Sequence, residues 1–175
     1  MPNETGVVRD ARAVYEWCVG AVNGDTSRII VWGHSLGTGI GGHLVSLLSM
    51  SGQSPAGLVL ESPFNNIYDE IRNHPMCWLW SKFPWFDFFF TKGLAANDVA
   101  FVTDQRIAVI FCPVLILHAE DDVTVPFKLG KALYETAREV RSEEWGEVKF
   151  ISFSSDLGYG HKYICRDPNL PHIVR

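Results

Sequence analysis

Apolar positions recur at helical spacing at the start of the chain. Val7, Val8, Ala11, Val14, Tyr15, Cys18 and Val22 fall on one face and predict an amphipathic helix that Asn23-Gly24-Asp25 ends. Residues 28–32 (RIIVW) form a short continuous apolar run, which reads as a strand buried on both faces. A helix over about 36–50 is expected next, with Leu44, Leu47 and Leu48 facing inward. Residues 57–60 and 114–117 read as further strands. Pro126 then opens a helix through Leu129, Leu133 and Ala137, proline being suited to a first helical turn. Residues 148–153 alternate as a last strand, and a final helix is expected from near Asp167. Strands alternating with helices predict one parallel α/β sheet in a single domain.

One stretch breaks this rhythm. About fifty residues separate the strand ending at Glu61 from the one beginning near Val114, where α/β connections are usually far shorter. An insertion over residues 62–112 reads as a cap or lid. Within it, positions 76–90 carry Trp78, Trp80, Phe83, Trp85, Phe86, Phe88, Phe89 and Phe90. Such a run serves either as a small satellite core or as the wall of an acyl-chain or membrane-facing pocket.

Composition narrows the class. The 175 residues are 47% hydrophobic and 20% charged, ordinary for a globular domain, with a formal net charge of −5 spread without long runs. No basic patch suggests nucleic acid as a partner. The most apolar window is interrupted by Lys82, Pro84 and Asp87 and falls short of a membrane span. The first ten residues carry two acids and lack the apolar stretch of a signal peptide. Cys18, Cys77, Cys112 and Cys165 stand far apart with no CxxC pair, so they suggest neither zinc nor a redox motif and read as buried thiols.

Chemistry concentrates at Gly33-His34-Ser35-Leu36-Gly37, a G-x-S-x-G directly after a strand and directly before a helix. That setting places a serine on a sharp turn above the carboxyl edge of a sheet, at the positive end of the following helix. The backbone N–H of Leu36 would then donate to an oxyanion. An overlapping G-x-G-x-x-G at Gly37–Gly42, with Glu61 about twenty residues on, has the outline of a dinucleotide site. Its register opposes that reading, because four residues intervene between the strand and its first glycine.

A serine nucleophile needs an acid and a histidine, in that chain order for this kind of sheet. Residues 115–122 (LILHAEDD) run off a strand end, and Asp122 lies in the loop leaving it. Asp121 is its nearest rival and Glu120 a weaker one. Of six histidines, His161 in Gly158-Tyr159-Gly160-His161 follows the last strand, in a glycine-flanked loop at the carboxyl edge. His118, at the end of the strand bearing the acids, reads as structural.

The segments GHSLGTG (33–39), LESPFNN (60–66), LILHAEDD (115–122) and SDLGYGHKY (155–163) resemble the membrane-anchored α/β-hydrolase lipases that act on lysophosphatidylserine and monoacylglycerols, and the likeness runs over nearly the whole chain. It implies an α/β-hydrolase fold, with Ser35 as nucleophile, Asp122 as orienting acid and His161 as base. It further implies no metal or cofactor, a lipid-ester substrate met at a membrane surface of the endoplasmic reticulum, and Trp78, Trp80, Phe83, Trp85 and Phe86 as substrate-contacting residues of the cap. The family carries a transmembrane anchor and more strands than the four read here. The chain is therefore expected to be the C-terminal part of the fold, truncated at both ends, with the 28–32 strand as an open edge and a second oxyanion donor upstream. Thioester hydrolysis, acyl transfer and catalytically silent lipid binding remain as alternatives.

Overall fold

The computed structural model describes residues 3–66 and 100–175. Helix α1 (Glu4–Ala21) begins where the Asn3 side chain accepts the Gly6 N–H at 2.9 Å, satisfying a donor that the first turn would otherwise leave unpaired. The next apolar run does not extend from its first residue. Asp25 accepts from the Ser27 amide and caps a 3-10 turn over Thr26–Arg28, so strand β1 spans Ile30–His34, two residues later than the pattern predicts.

Helix α2 (Leu36–Met50), strand β2 (Gly57–Glu61), the short helix α3 (Thr103–Arg106), strand β3 (Val114–Ala119), helix α4 (Phe127–Val140) and strand β4 (Val148–Phe153) follow, and a single turn, α5 (Leu170–Ile173), comes last. The final helix starts later than expected. Asp167 turns its carboxylate onto the Asn169 amide at 2.7 Å after a 3-10 turn at Ile164–Arg166.

The four strands among the described residues are all parallel, in the order β1-β2-β3-β4. Their register aligns the carboxyl ends: His34 lies opposite Glu61, Glu61 opposite Leu117 and Ala119 opposite Phe153. The turns that leave β1, β3 and β4 therefore open onto one edge of the sheet.

The pleat divides the core. Leu58, Leu60 and Ile116 pack with Val45 of α2, Ile107 and Ile110, and Leu133 and Ala137 of α4. Val59, Leu117, Ala119 and Phe153 face the other way and meet Ile164, with Tyr159, Leu170 and Ile173 at the margin. Helix α1 covers α2 through Val8 and Tyr15 against Leu44 and Leu48. Each fully buried Val, Leu, Ile or Phe side chain among them contributes about 1.5–3 kcal/mol by leaving water.

Three expectations about burial fail. β1 is the outer strand of the described sheet, leaving Ile30 53% and Trp32 44% exposed, so the open edge expected of it is observed and burial on both faces is not. Leu47 falls on the outer side of α2, while Leu44 and Leu48 are buried. The thiols differ as well: Cys112 is buried, Cys18 half-buried and Cys165 exposed, and all three are free.

Candidate active site

Ser35 terminates β1 with φ 53° and ψ −121°, a left-handed conformation that costs a non-glycine residue on the order of 1–3 kcal/mol. The neighbourhood holds it there. The Ser35 N–H donates to the Glu61 carbonyl at 3.0 Å, and its carbonyl accepts from the Thr38 N–H at 2.9 Å and the Thr38 hydroxyl at 2.6 Å. Gly33 permits the close turn, since a Cβ there would overlap the Gly37 carbonyl. Leu36 opens α2, so its N–H has no acceptor within the helix and is available as an oxyanion donor.

Asp122 lies in the connection from β3 to α4 with its side chain fully buried. One carboxylate oxygen accepts the Thr124 and Val125 amides, each at 2.9 Å; the other accepts from His161 Nδ1 at 2.8 Å. Burial pushes this carboxyl up, but the N–H groups of His118, His161 and Val125 outweigh it and hold the group well below the ordinary carboxylate range. An ionised carboxylate only accepts, so the proton of this hydrogen bond sits on His161 Nδ1, and in the neutral ring Nε2 then carries the lone pair.

His118 is completely buried, its Nε2 3.0 Å from the Val125 carbonyl and 3.5 Å from Asp122 Oδ2. The shorter contact is the hydrogen bond, and the longer one adds an N–H dipole facing the carboxylate.

The rival acids are occupied elsewhere. Both oxygens of Asp121 lie 3.0 Å from the Gly160 amide, and Glu120 approaches the Ser155 amide at 3.4 Å. Asp122 is the acid that reaches the His161 ring. Ser35 joins the pair through its neighbour: His34 Nε2 is 2.7 Å from the His161 carbonyl, and the two rings lie 4.8 Å apart. Among the described residues no hydrogen bond links the Ser35 hydroxyl to the His161 ring; His161 is bonded to Asp122 directly and to the residue before Ser35 through its carbonyl. The contacts of His34 and Asp121 were not foreseen from the sequence, although both residues stand beside members of the predicted triad.

Two further histidines stand on other elements. His43 pairs with Glu4 at 2.7 Å, far along α2 from the turn, and His172 lies in α5. His74, Trp78, Trp80, Phe83, Trp85 and Phe86 lie outside the described residues. The glycines of the G-x-G-x-x-G lie within α2, where Gly39 packs against Phe101, so none closes the turn off the strand as a dinucleotide site would need. Among the described residues no cluster of His, Cys, Asp or Glu could hold a metal ion. No helix among them is long and apolar enough to cross a membrane.

A parallel sheet with a serine on a strand-to-helix turn, and an acid–histidine pair beyond later strands, defines the α/β-hydrolase class. A family model described as alpha/beta hydrolase fold matches residues 6–150, and the chain belongs to that family. Among known proteins it is 46% identical over 173 residues to the lysophosphatidylserine lipase ABHD12 of Danio rerio, covering 99% of this chain and 45% of that protein. It is 37% identical over 175 residues to Protein ABHD12B of Homo sapiens, covering 99% and 47%. The chain thus spans about half the length of the relatives it matches. Among solved structures, an alpha-beta hydrolase from Vibrio vulnificus superposes with TM-score 0.71 at 21% identity, over 99% of this chain and 57% of that one.

Proposed function

We propose that the protein is a serine hydrolase that cleaves fatty-acyl esters of lysophospholipids, lysophosphatidylserine foremost, and of monoacylglycerols. The observation that carries the reading is the 2.8 Å His161–Asp122 pair placed beside the strained turn at Ser35. Similarity to lysophosphatidylserine lipases over 99% of the chain supports the substrate class. His161 Nε2 takes the Ser35 hydroxyl proton as Oγ attacks the ester carbonyl, and the Leu36 N–H donates to the oxyanion. The protonated imidazole, held by Asp122, gives its proton to the leaving alcohol. Water then attacks the acyl-serine by the same route in reverse and releases the fatty acid. In this reading Trp78, Trp80, Phe83, Trp85 and Phe86 wall the acyl chain, and the substrate is met at a membrane surface, that of the endoplasmic reticulum.

The test is labelling of the chain with a fluorophosphonate probe beside a Ser35→Ala control. Hydrolysis of lysophosphatidylserine, a monoacylglycerol and an acyl thioester is then measured in parallel. Ser35-dependent labelling with preference for the two oxygen esters is expected. Labelling that persists in Ser35→Ala removes the nucleophile assignment, and faster thioester cleavage replaces the substrate class.

A further inference from the structure

We propose that His34 and Asp121, neither of them a triad member, are positioning residues that aim His161 by gripping the backbone on either side of it. The proposal rests on the reading of His161 as the general base. The loop that carries His161 has little stiffness of its own. Gly158 and Gly160 adopt φ of 64° and 49°, a region where glycine is freest, and His161 follows the second of them directly. The Asp122 contact fixes the ring at one atom, Nδ1, and by itself leaves the direction of Nε2 free to turn about that contact.

Two further contacts remove that freedom. The Gly160 amide, one peptide before His161, points at both oxygens of Asp121 at 3.0 Å. The His161 carbonyl, one peptide after its Cα, lies 2.7 Å from His34 Nε2, with the two rings tilted by 48°. A carbonyl only accepts, so His34 must carry a proton on Nε2 and donate it. His34 is bonded to Ser35 and Asp121 to Asp122. Each grip therefore references the base to another member of the triad: His34 to the nucleophile, Asp121 to the acid. Glu120 extends the pattern by approaching the Ser155 amide, where the loop leaves β4. The three consecutive acids 120–122 thus meet the histidine loop at its root, its final glycine and its ring.

Hydrogen bonds in exposed or half-buried settings contribute little net stability. Removing these two should disturb aim more than fold, which separates positioning from scaffolding. The experiment compares His34→Ala with His34→Gln, whose amide nitrogen can replace imidazole Nε2, and Asp121→Ala with Asp121→Asn, whose amide oxygen can still accept the Gly160 N–H. Three quantities are read in the full chain: the rate of fluorophosphonate labelling at Ser35, the urea unfolding midpoint, and the exchange rate of the downfield His161 Nδ1 proton in spectra of protein with nitrogen-15 histidine.

The alanine variants should label roughly ten- to a hundredfold more slowly, the size of effect that misplacement by about an ångström produces. Their Nδ1 proton should exchange faster at an unchanged midpoint, and Gln and Asn should restore most of both. Parent-like labelling and exchange in both alanine variants would overturn the proposal, as would Gln and Asn variants no better than Ala. A parent chain that does not label at Ser35 would instead overturn the nucleophile reading. The exchange rates would then decide the positioning claim alone: faster in Ala and restored in Gln and Asn supports it, unchanged in all sinks it.

Discussion

At the level of single residues, the site is organised by what each oxygen of Asp122 accepts. Oδ1 takes two backbone amides of its own loop, and Oδ2 takes the His161 ring. Asp122→Asn keeps a carbonyl oxygen for the amides but presents an NH2 group to His161. The imidazole must then accept at Nδ1 and carry its proton on Nε2, where it cannot receive one from Ser35. Ester hydrolysis should fall by roughly 10⁴ with little change in the unfolding midpoint, the size of loss a wrong tautomer brings in such triads. Activity within tenfold of the parent would show that Asp122 does not orient the base. The 2.8 Å pairing of Asp122 with His161 and the turn at Ser35 were legible because strand ends followed by glycine turns or acid-rich loops are local signals. The contacts of Asp121 and His34 were not. Asp121 and Asp122 differ by one position, which pattern cannot resolve, and the partner of His34 lies 127 residues away.

Between elements, the decisive contact is a buried charge that periodicity does not reveal. Glu4, 2% exposed in the first turn of α1, accepts from His43 of α2 at 2.7 Å, from the Phe101 amide at 2.7 Å and from the Ala100 amide at 3.0 Å, and pairs with Arg106 of α3. Burial alone would push its carboxyl up. The His43 and backbone hydrogen bonds, with the Arg106 charge, outweigh burial and lower it from 4.5 to about 2. A carboxylate whose folded pKa is depressed stabilises the fold fully above its unfolded pKa, and that stability fades as pH falls through the folded value. The urea midpoint should therefore drop steeply between about pH 4.5 and 2, and Glu4→Gln should flatten that limb. At neutral pH the same substitution should cost about 3–5 kcal/mol, since it strips the counter-charge from Arg106. Parallel pH curves for parent and variant would contradict this account. Arg141 hides in the same way: its guanidinium closes α4 onto the carbonyls of Ile110, Cys112 and Trp145, yet in sequence it is one charge among many at a helix end. Elements defined by apolar spacing, α2 and β4 above all, were legible to the residue. The start of β1 was not, because a capping aspartate at position 25 outweighed the apolar run.

Across the whole molecule, Ser35, Asp122 and His161 hang from β1, β3 and β4, with β2 between the first two supplying the carbonyl that holds the Ser35 amide. No pair of neighbouring elements contains the site. It exists only when the register of all four strands aligns their carboxyl ends, so site and sheet should form in one step. Phe153 tests the coupling, being buried at the end of β4, opposite Ala119 in the register and 5.8 Å from the Tyr159 ring in the histidine loop. Phe153→Ala should destabilise the chain by about 3–5 kcal/mol. In both parent and variant, the urea midpoint for loss of Ser35 labelling should coincide with that for tryptophan fluorescence, as a cooperative transition requires. The two midpoints should move down together in the variant. If labelling instead vanished well before the fluorescence changed, the histidine loop would be opening on its own, and the grip of Asp121 and His34 would be weaker than the geometry implies.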